Sequence, residues 1–131
     1  MKLLGNAAFN PISALTGATL VELVRHPEAA RLARDVMAEV EAVASRLGIE
    51  LPISIDQRMA GAEKVGEHKT SMLQDLEAGR PMEHEAIVGA VVELGERLGV
   101  AMPSTRAVYA TVKLLNDHRQ RLRRPAAEKV S

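Results

Sequence analysis

Residues 27–47, PEAARLARDVMAEVEAVASRL, carry the pattern that decides the fold, and the pattern is that of an amphipathic helix. Its apolar side chains recur at helical spacing on one stripe: Leu32, Val36, Val40, Val43 and Leu47. Pro27 suits the first position of a helix, and Gly48 suits the left-handed residue that comes after a last turn. The segment therefore predicts a long helix that buries one face.

Two further segments repeat this helical pattern. Residues 83–98 place Ile87, Val91, Leu94 and Leu98 on a stripe, and residues 104–122 place Val108, Val112, Leu115 and Leu122 on another. Strand patterning is absent, so the predicted fold class is all-α. The expected helices are seven: 2–16, 19–26, 28–47, 54–67, 70–78, 83–98 and 104–122. We expect one helical domain over residues 1–124 and a frayed tail over 125–131.

Composition narrows the class of protein. The chain has 131 residues, of which 47% are apolar, and its 17 basic and 17 acidic residues balance to a formal net charge of zero. Neutral charge and only two aromatic residues, Phe9 and Tyr109, disfavour nucleic-acid binding. No apolar stretch approaches the roughly 20 residues of a membrane span. The absence of cysteine excludes disulfides and thiolate metal sites, and a cytoplasmic protein is expected.

Helix ends are marked by local signals. RLGIELP at 46–52 and RLGVAMP at 97–103 each predict a helix end, a glycine stop and a proline that prevents continuation. The similarity of the two segments is explained by an ancestral duplication or, as we favour, by a common way to end a helix. Ser54 with Gln57 predicts a capping box, and Ser104 or Thr105 is expected to cap the last helix.

The first stretch, MKLLGNAAFNPISALTG at 1–17, places polar groups on one helical face. Lys2, Asn6 and Asn10 are spaced i, i+4 and i+8. Asparagine is a poor helix former, so two of them inside a helix cost stability unless their amides have partners. Either the stripe is a solvated face or it lines a site. Pro11 is expected to kink or end the helix nearby.

A second polar stretch, HKTSMLQDLEAGRPME, occupies residues 68–83. Thr70 or Ser71 is expected to cap a short helix that Gly79 ends. Glu83 falls where the next helix begins, where an acidic residue complements the helix dipole without any further role. The four histidines have no metal-ligand spacing, so no metal site is predicted.

Taken together, the two stretches resemble the C-terminal domain of the ketopantoate reductase (2-dehydropantoate 2-reductase) family. The first carries Lys-x3-Asn-x3-Asn-Pro at Lys2, Asn6, Asn10 and Pro11, followed by SALTG. The second carries Ser-Met-Leu-Gln-Asp at 71–75, then Gly79, Arg80 and Glu83. The resemblance spans essentially the whole chain and implies the helical fold of the 6-phosphogluconate dehydrogenase-like superfamily.

The resemblance also implies an activity and a set of roles. The family reduces the 2-keto group of ketopantoate with NADPH, on the route to pantothenate. The lysine matching Lys2 is its general acid, and the residues matching Asn6, Asn10 and Ser71 bind substrate. The glutamate matching Glu83 contacts the nicotinamide-ribose end of the cofactor. We expect all five to open onto one cleft.

The chain departs from the family pattern in three ways. Leu20 and Val21 stand where the family often has Asn-Gly, and Glu83-His84-Glu85 replaces Glu-Ile-Asp, so another 2-keto acid is possible. The glycine-rich turn of a Rossmann domain is absent. The expectation is therefore a substrate-binding and dimerisation domain, a homodimer that is inactive and binds no NADPH without its cofactor domain. The alternative is a non-catalytic helical interaction module; a helix-turn-helix nucleic-acid binder is disfavoured.

Overall fold

The computed structural model describes residues 3–82 and 85–123, and regular structure in these two ranges is entirely helical. The seven α-helices are α1 (Leu3–Thr16), α2 (Leu20–Arg25), α3 (Pro27–Arg46), α4 (Ile55–Val65), α5 (Ser71–Ala78), α6 (Ala90–Leu98) and α7 (Pro103–Arg123). A π-helical segment, Glu85–Gly89, leads into α6. The all-α prediction is confirmed. None of the helices in the two ranges combines the length and the hydropathy of a membrane span.

Helix α1 is the centre of the domain. Residues 7–14 are all buried, and the helix contacts α2, α3, α4, α5, α7 and the π segment. A helix that is buried on every side is a core helix. The interpretation of the Asn stripe as a solvated face is therefore wrong at Asn10, which is only 8% exposed.

Pro11 lies inside α1 and does not end it, so of the two effects expected from the sequence, a kink or an end, the end is excluded. The helix continues to Thr16, and its residues are buried on both sides of the proline, with Phe9 4% and Ile12 3% exposed. Burial of apolar surface stabilises the helix beyond the lost backbone hydrogen bond. Tertiary packing thus overrides the local preference.

The predicted stripes are largely confirmed, with exceptions at their ends. Val36, Val40 and Val43 of α3 are buried, whereas Leu47, the residue that caps the helix, is 45% exposed. Leu94 and Leu122, which the sequence also places on buried stripes, are 40% and 58% exposed. On α6 the buried residues are Val91, Val92 and Gly95, so Gly95 rather than Leu94 faces the core.

The two repeated helix stops adopt the same backbone. Gly48 and Gly99 have φ of 71° and 70°. In each case the next residue donates back to the carbonyl five positions earlier: Ile49 N to Ala44 O, and Val100 N to Gly95 O, both at 2.9 Å. This is the Schellman pattern. The predicted capping box of α4 is also present, since Gln57 N donates to Ser54 Oγ and Ser54 N to Gln57 Oε1.

The start of α7 differs from the prediction that Ser104 or Thr105 caps it. The helix begins at Pro103, and the carboxylate of Glu39 on α3 accepts from Ser104 N at 3.0 Å and from Thr105 N at 2.7 Å. The Thr105 hydroxyl donates to the same carboxylate at 2.6 Å. Free N–H groups at a helix start need an acceptor. Here a distant helix supplies it, and so joins α3 to α7.

Candidate substrate cleft

A cavity of about 600 Å³ lies where α1, α4 and the start of α5 meet. Its walls come from Asn6 to Asn10 on α1, from one face of α4, and from His68 to Ser71. The volume lies within the range of small-molecule sites, about 300–1,000 Å³. The cavity opens to solvent, so a small ligand can enter it. We call it the cleft.

Three of the five residues singled out from the sequence line this cleft. Asn6 is half-buried, Asn10 is almost fully buried and Ser71 is exposed. Two segments about 60 residues apart in sequence therefore meet at one cavity. Lys2 and Glu83 lie outside the described residues. The roles of all five in catalysis and binding stay predictions.

A buried pair of hydroxyls joins α1 to α5 beside the cleft. Thr70 caps α5, accepting from Leu73 N at 3.2 Å, and its hydroxyl is hydrogen-bonded to that of Ser13. Ser13 is fully buried and donates to the Asn10 carbonyl at 3.0 Å. Because the Ser13 proton is directed to Asn10, the Thr70 hydroxyl is the donor within the pair. The pair fixes the backbone of Asn10 relative to Ser71.

The loop between α4 and α5 is fixed to the start of α2. Leu20 N donates to His68 O at 3.0 Å, and Val21 N donates to Gly66 O at 3.1 Å. Leu20, which with Val21 stands where the family often has Asn-Gly, lines the cleft. An apolar side chain therefore stands in the wall at a position where the resemblance leads one to expect a polar one.

Helix α2 carries a full capping box next to this loop. The backbone N–H and the hydroxyl of Thr19 donate to the Glu22 carboxylate at 2.9 and 3.0 Å. These two hydrogen bonds hold the pKa of Glu22 below its ordinary value, because they favour the charged form. The box is exposed and serves the helix rather than the cleft.

The ionisable side chains in the described part of the cleft wall are all basic. Among the lining residues that the structure describes, Arg58 and His68 are ionisable and none is acidic. The chain as a whole is neutral, with 17 residues of each sign, so the absence of acids among the described lining residues is a local feature. The cleft is suited to an anion or a polar neutral molecule. Sequence patterns missed Arg58, since it falls in a polar stretch of α4 without a motif.

The described residues do not fit a metal or the pyrophosphate of a dinucleotide. No group of three or more His, Asp or Glu side chains able to hold a metal occurs among them. A dinucleotide site needs a glycine-rich turn between a strand and a helix. In the described ranges the glycines with positive φ (Gly17, Gly48, Gly66, Gly79 and Gly99) each come after a helix instead.

Over residues 3–82 and 85–123 the chain is an all-helical domain built around a buried helix, α1, with a cleft of mixed polar and apolar lining beside that helix. The chain belongs to the ketopantoate reductase family: residues 1–116 match the family described as "Ketopantoate reductase PanE/ApbA C terminal". The resemblance found in the sequence is thus confirmed.

Individual relatives agree with this assignment. A 2-dehydropantoate 2-reductase of Mesorhizobium japonicum is 53% identical over 115 residues, which are 88% of this chain and 35% of that protein. The crystal structure of 2-dehydropantoate 2-reductase from Methylococcus capsulatus has a TM-score of 0.83 at 42% identity, covering 90% of this chain and 41% of that one.

A further solved relative is a dimeric ketopantoate reductase from Staphylococcus aureus. It has a TM-score of 0.74 at 27% identity, covering 90% of this chain and 42% of that one. The chain spans only 35–41% of the length of the curated relatives that it matches. The similarity therefore concerns one part of those longer proteins.

Proposed function

We propose that this chain is the substrate-binding domain of an oxidoreductase that reduces a 2-keto acid to a 2-hydroxy acid, with ketopantoate as the first candidate. The observation that carries the proposal is the meeting of Asn6, Asn10 and Ser71 in one cleft. These side chains supply amide and hydroxyl groups that donate hydrogen bonds. A keto oxygen and a carboxylate can both accept such bonds.

The proposed roles follow from the chemistry of each side chain. Asn6, Asn10 and Ser71 orient the substrate through hydrogen bonds. Lys2 is the proton donor to the oxygen of the reduced carbonyl, since a cation next to a developing oxyanion also stabilises it. Glu83 contacts the cofactor. Support for Lys2 and Glu83 comes from the family motif alone.

We propose further that NADPH is held mainly by a dinucleotide-binding domain and that the 131-residue chain alone is inactive. The support is the lack of a strand-to-helix glycine turn in the described ranges. One carboxylate contact is too little to offset the entropy of binding a large charged ligand. A homodimer is proposed from the dimeric S. aureus relative and from the exposed Leu114 and Leu122 on α7.

The test joins the chain in frame to the N-terminal part of the M. japonicum relative and follows NADPH oxidation by ketopantoate. Lys2→Ala is expected to lower kcat far more than it raises KM, because the proton is needed in the transition state. Asn10→Ala is expected to raise KM by about ten-fold, the loss of one hydrogen bond to a charged group. The control is Gln120→Ala on α7, which also removes an amide side chain but at a position that does not line the cleft.

Equal and small effects of Lys2→Ala and Asn10→Ala would show that neither residue serves the reaction. An inactive fusion that is folded and binds NADPH would favour the non-catalytic interaction module. For the chain alone, calorimetry with NADPH tests the proposal that it does not bind the cofactor. Light scattering tests the proposed homodimer. Micromolar NADPH binding would contradict the proposal about the cofactor, and a monomer at high concentration would contradict the homodimer.

A further inference from the structure

One face of α4 forms a wall of the cleft. The lining residues Gln57, Arg58, Gly61, Ala62 and Val65 recur at intervals of three and four, so they share one side of the helix. The family motifs lie on α1, on α5 and at the turn after α5. Nothing in them accounts for the residues of this wall.

Arg58 gives the wall a positive charge. It is half-buried and lines the cleft. A guanidinium presents two parallel N–H donors that match the two oxygens of a carboxylate, and it remains charged at every physiological pH. Partial burial strengthens such a contact, because the effective dielectric constant is lower than in water.

Gly61 gives the wall an open space. It lies inside α4, where glycine lowers the stability of a helix relative to alanine. Its φ is not positive, and a Cβ at this position would meet no atom within 4 Å. Neither backbone conformation nor packing therefore requires a glycine here. The space beside it belongs to the cleft.

We propose that α4 is the specificity wall of the cleft, in which Arg58 binds the carboxylate of the 2-keto acid and Gly61 leaves room for its carbon substituent. The inference rests on the proposed function and names the groups that select the substrate. A branched 2-keto acid such as ketopantoate fits both features, since it has one carboxylate and a bulky group next to the ketone.

The role of the Arg58 charge is tested by titrating the 131-residue chain with ketopantoate and with its uncharged methyl ester. Binding is followed by NMR. The unsubstituted chain is expected to bind the acid at least about ten-fold more tightly than the ester, as for one charge-assisted contact. Arg58→Gln removes this preference, and Arg58→Lys keeps part of it. Arg106→Gln, at an exposed position on α7, is the matched control and leaves the preference unchanged.

The role of the space beside Gly61 is tested with Gly61→Leu, and Gly61→Ala is the control that adds a smaller side chain. Gly61→Leu is expected to weaken ketopantoate binding by about ten-fold or more, while pyruvate, with only a methyl group, binds as before. Circular dichroism shows whether each variant is folded. A folded Gly61→Leu chain that binds both acids as the unsubstituted chain does would overturn the role of Gly61.

Asn10→Ala and Ser71→Ala separate this inference from the proposed function. If both weaken ketopantoate binding while Arg58→Gln keeps the preference for the acid over the ester, the specificity wall is wrong and the proposed function stands. If neither variant weakens binding, or if the unsubstituted chain binds no 2-keto acid, both proposals fall.

Discussion

Two glycines inside helices, Gly61 on α4 and Gly95 on α6, mark regions of opposite character. A Cβ on Gly95 would overlap with Met102 Sδ and would lie 3.0 Å from Met102 Cγ. A Cβ on Gly61 would meet nothing within 4 Å. Packing requires the first glycine and does not require the second. The same residue type thus serves the fold in one place and leaves a cleft open in the other.

The region around Gly95 is closed by several contacts. Met102, 2% exposed, fills the space over the glycine, and Val43 of α3 lies 3.6 Å from the Cβ position. Arg46 Nη1 donates to the Leu98 carbonyl at 2.9 Å, and Glu39 caps α7. Side chains and hydrogen bonds therefore hold α3, α6 and α7 together, whereas the cleft beside α4 is left unfilled.

Gly95→Val gives the largest expected effect and tests the closed region. The added side chain would overlap with Met102, and overpacking of this kind destabilises a core by about 3 kcal/mol. Denaturation in urea measures the free energy of unfolding. The penalty should shrink in a Met102→Ala background, because the residue that is displaced has gone. A neutral Gly95→Val would show that α6 is not packed as described.

Thr70→Val is expected to have an intermediate effect, at the joint between the open cleft and the core. It removes the N-cap of α5 and the hydrogen bond to Ser13, which together destabilise the domain by about 2 kcal/mol. Thr70→Ser keeps the hydroxyl and should recover most of the loss in the same urea titration. Equal destabilisation by valine and serine would mean that packing of the methyl group, rather than the hydroxyl, matters at this site.

Gly61→Ala has the smallest expected effect and the opposite sign. A methyl group meets no neighbour, and alanine favours the helix, so the free energy of unfolding should rise by about 0.5–1 kcal/mol. Thermal melting by circular dichroism would detect the gain. A loss of stability instead would show that the space beside Gly61 is filled, which would remove the contrast between the two glycines.

The helices can be predicted from sequence because their ends depend on local signals. The Ser54–Gln57 capping box and the stops at Gly48 and Gly99 involve residues within one or two turns of each other. The cap of α7 cannot be predicted in this way, since its acceptor, Glu39, is 65 residues away from Ser104 in sequence. The helical course of α1 through Pro11 depends on burial, which no local pattern shows.

The cleft is predictable only in part. The family motifs single out Asn6, Asn10 and Ser71, and the structure brings them to one cavity. Arg58 and Gly61 carry no such signal, because α4 resembles an ordinary polar helix until its packing against α1 and α2 is known. Their position in a cleft is a property of the tertiary structure.

The most direct test of the central claim, that this cleft binds a 2-keto acid, is a titration of the chain with ketopantoate followed by amide NMR. The backbone amides of Gly61 and Gly95 report the two regions in a single spectrum. We predict that the Gly61 resonance moves with ketopantoate concentration while that of Gly95 stays in place. Movement of the Gly95 resonance alone, or of neither resonance at saturating ketopantoate, would contradict the claim that this cleft binds a 2-keto acid.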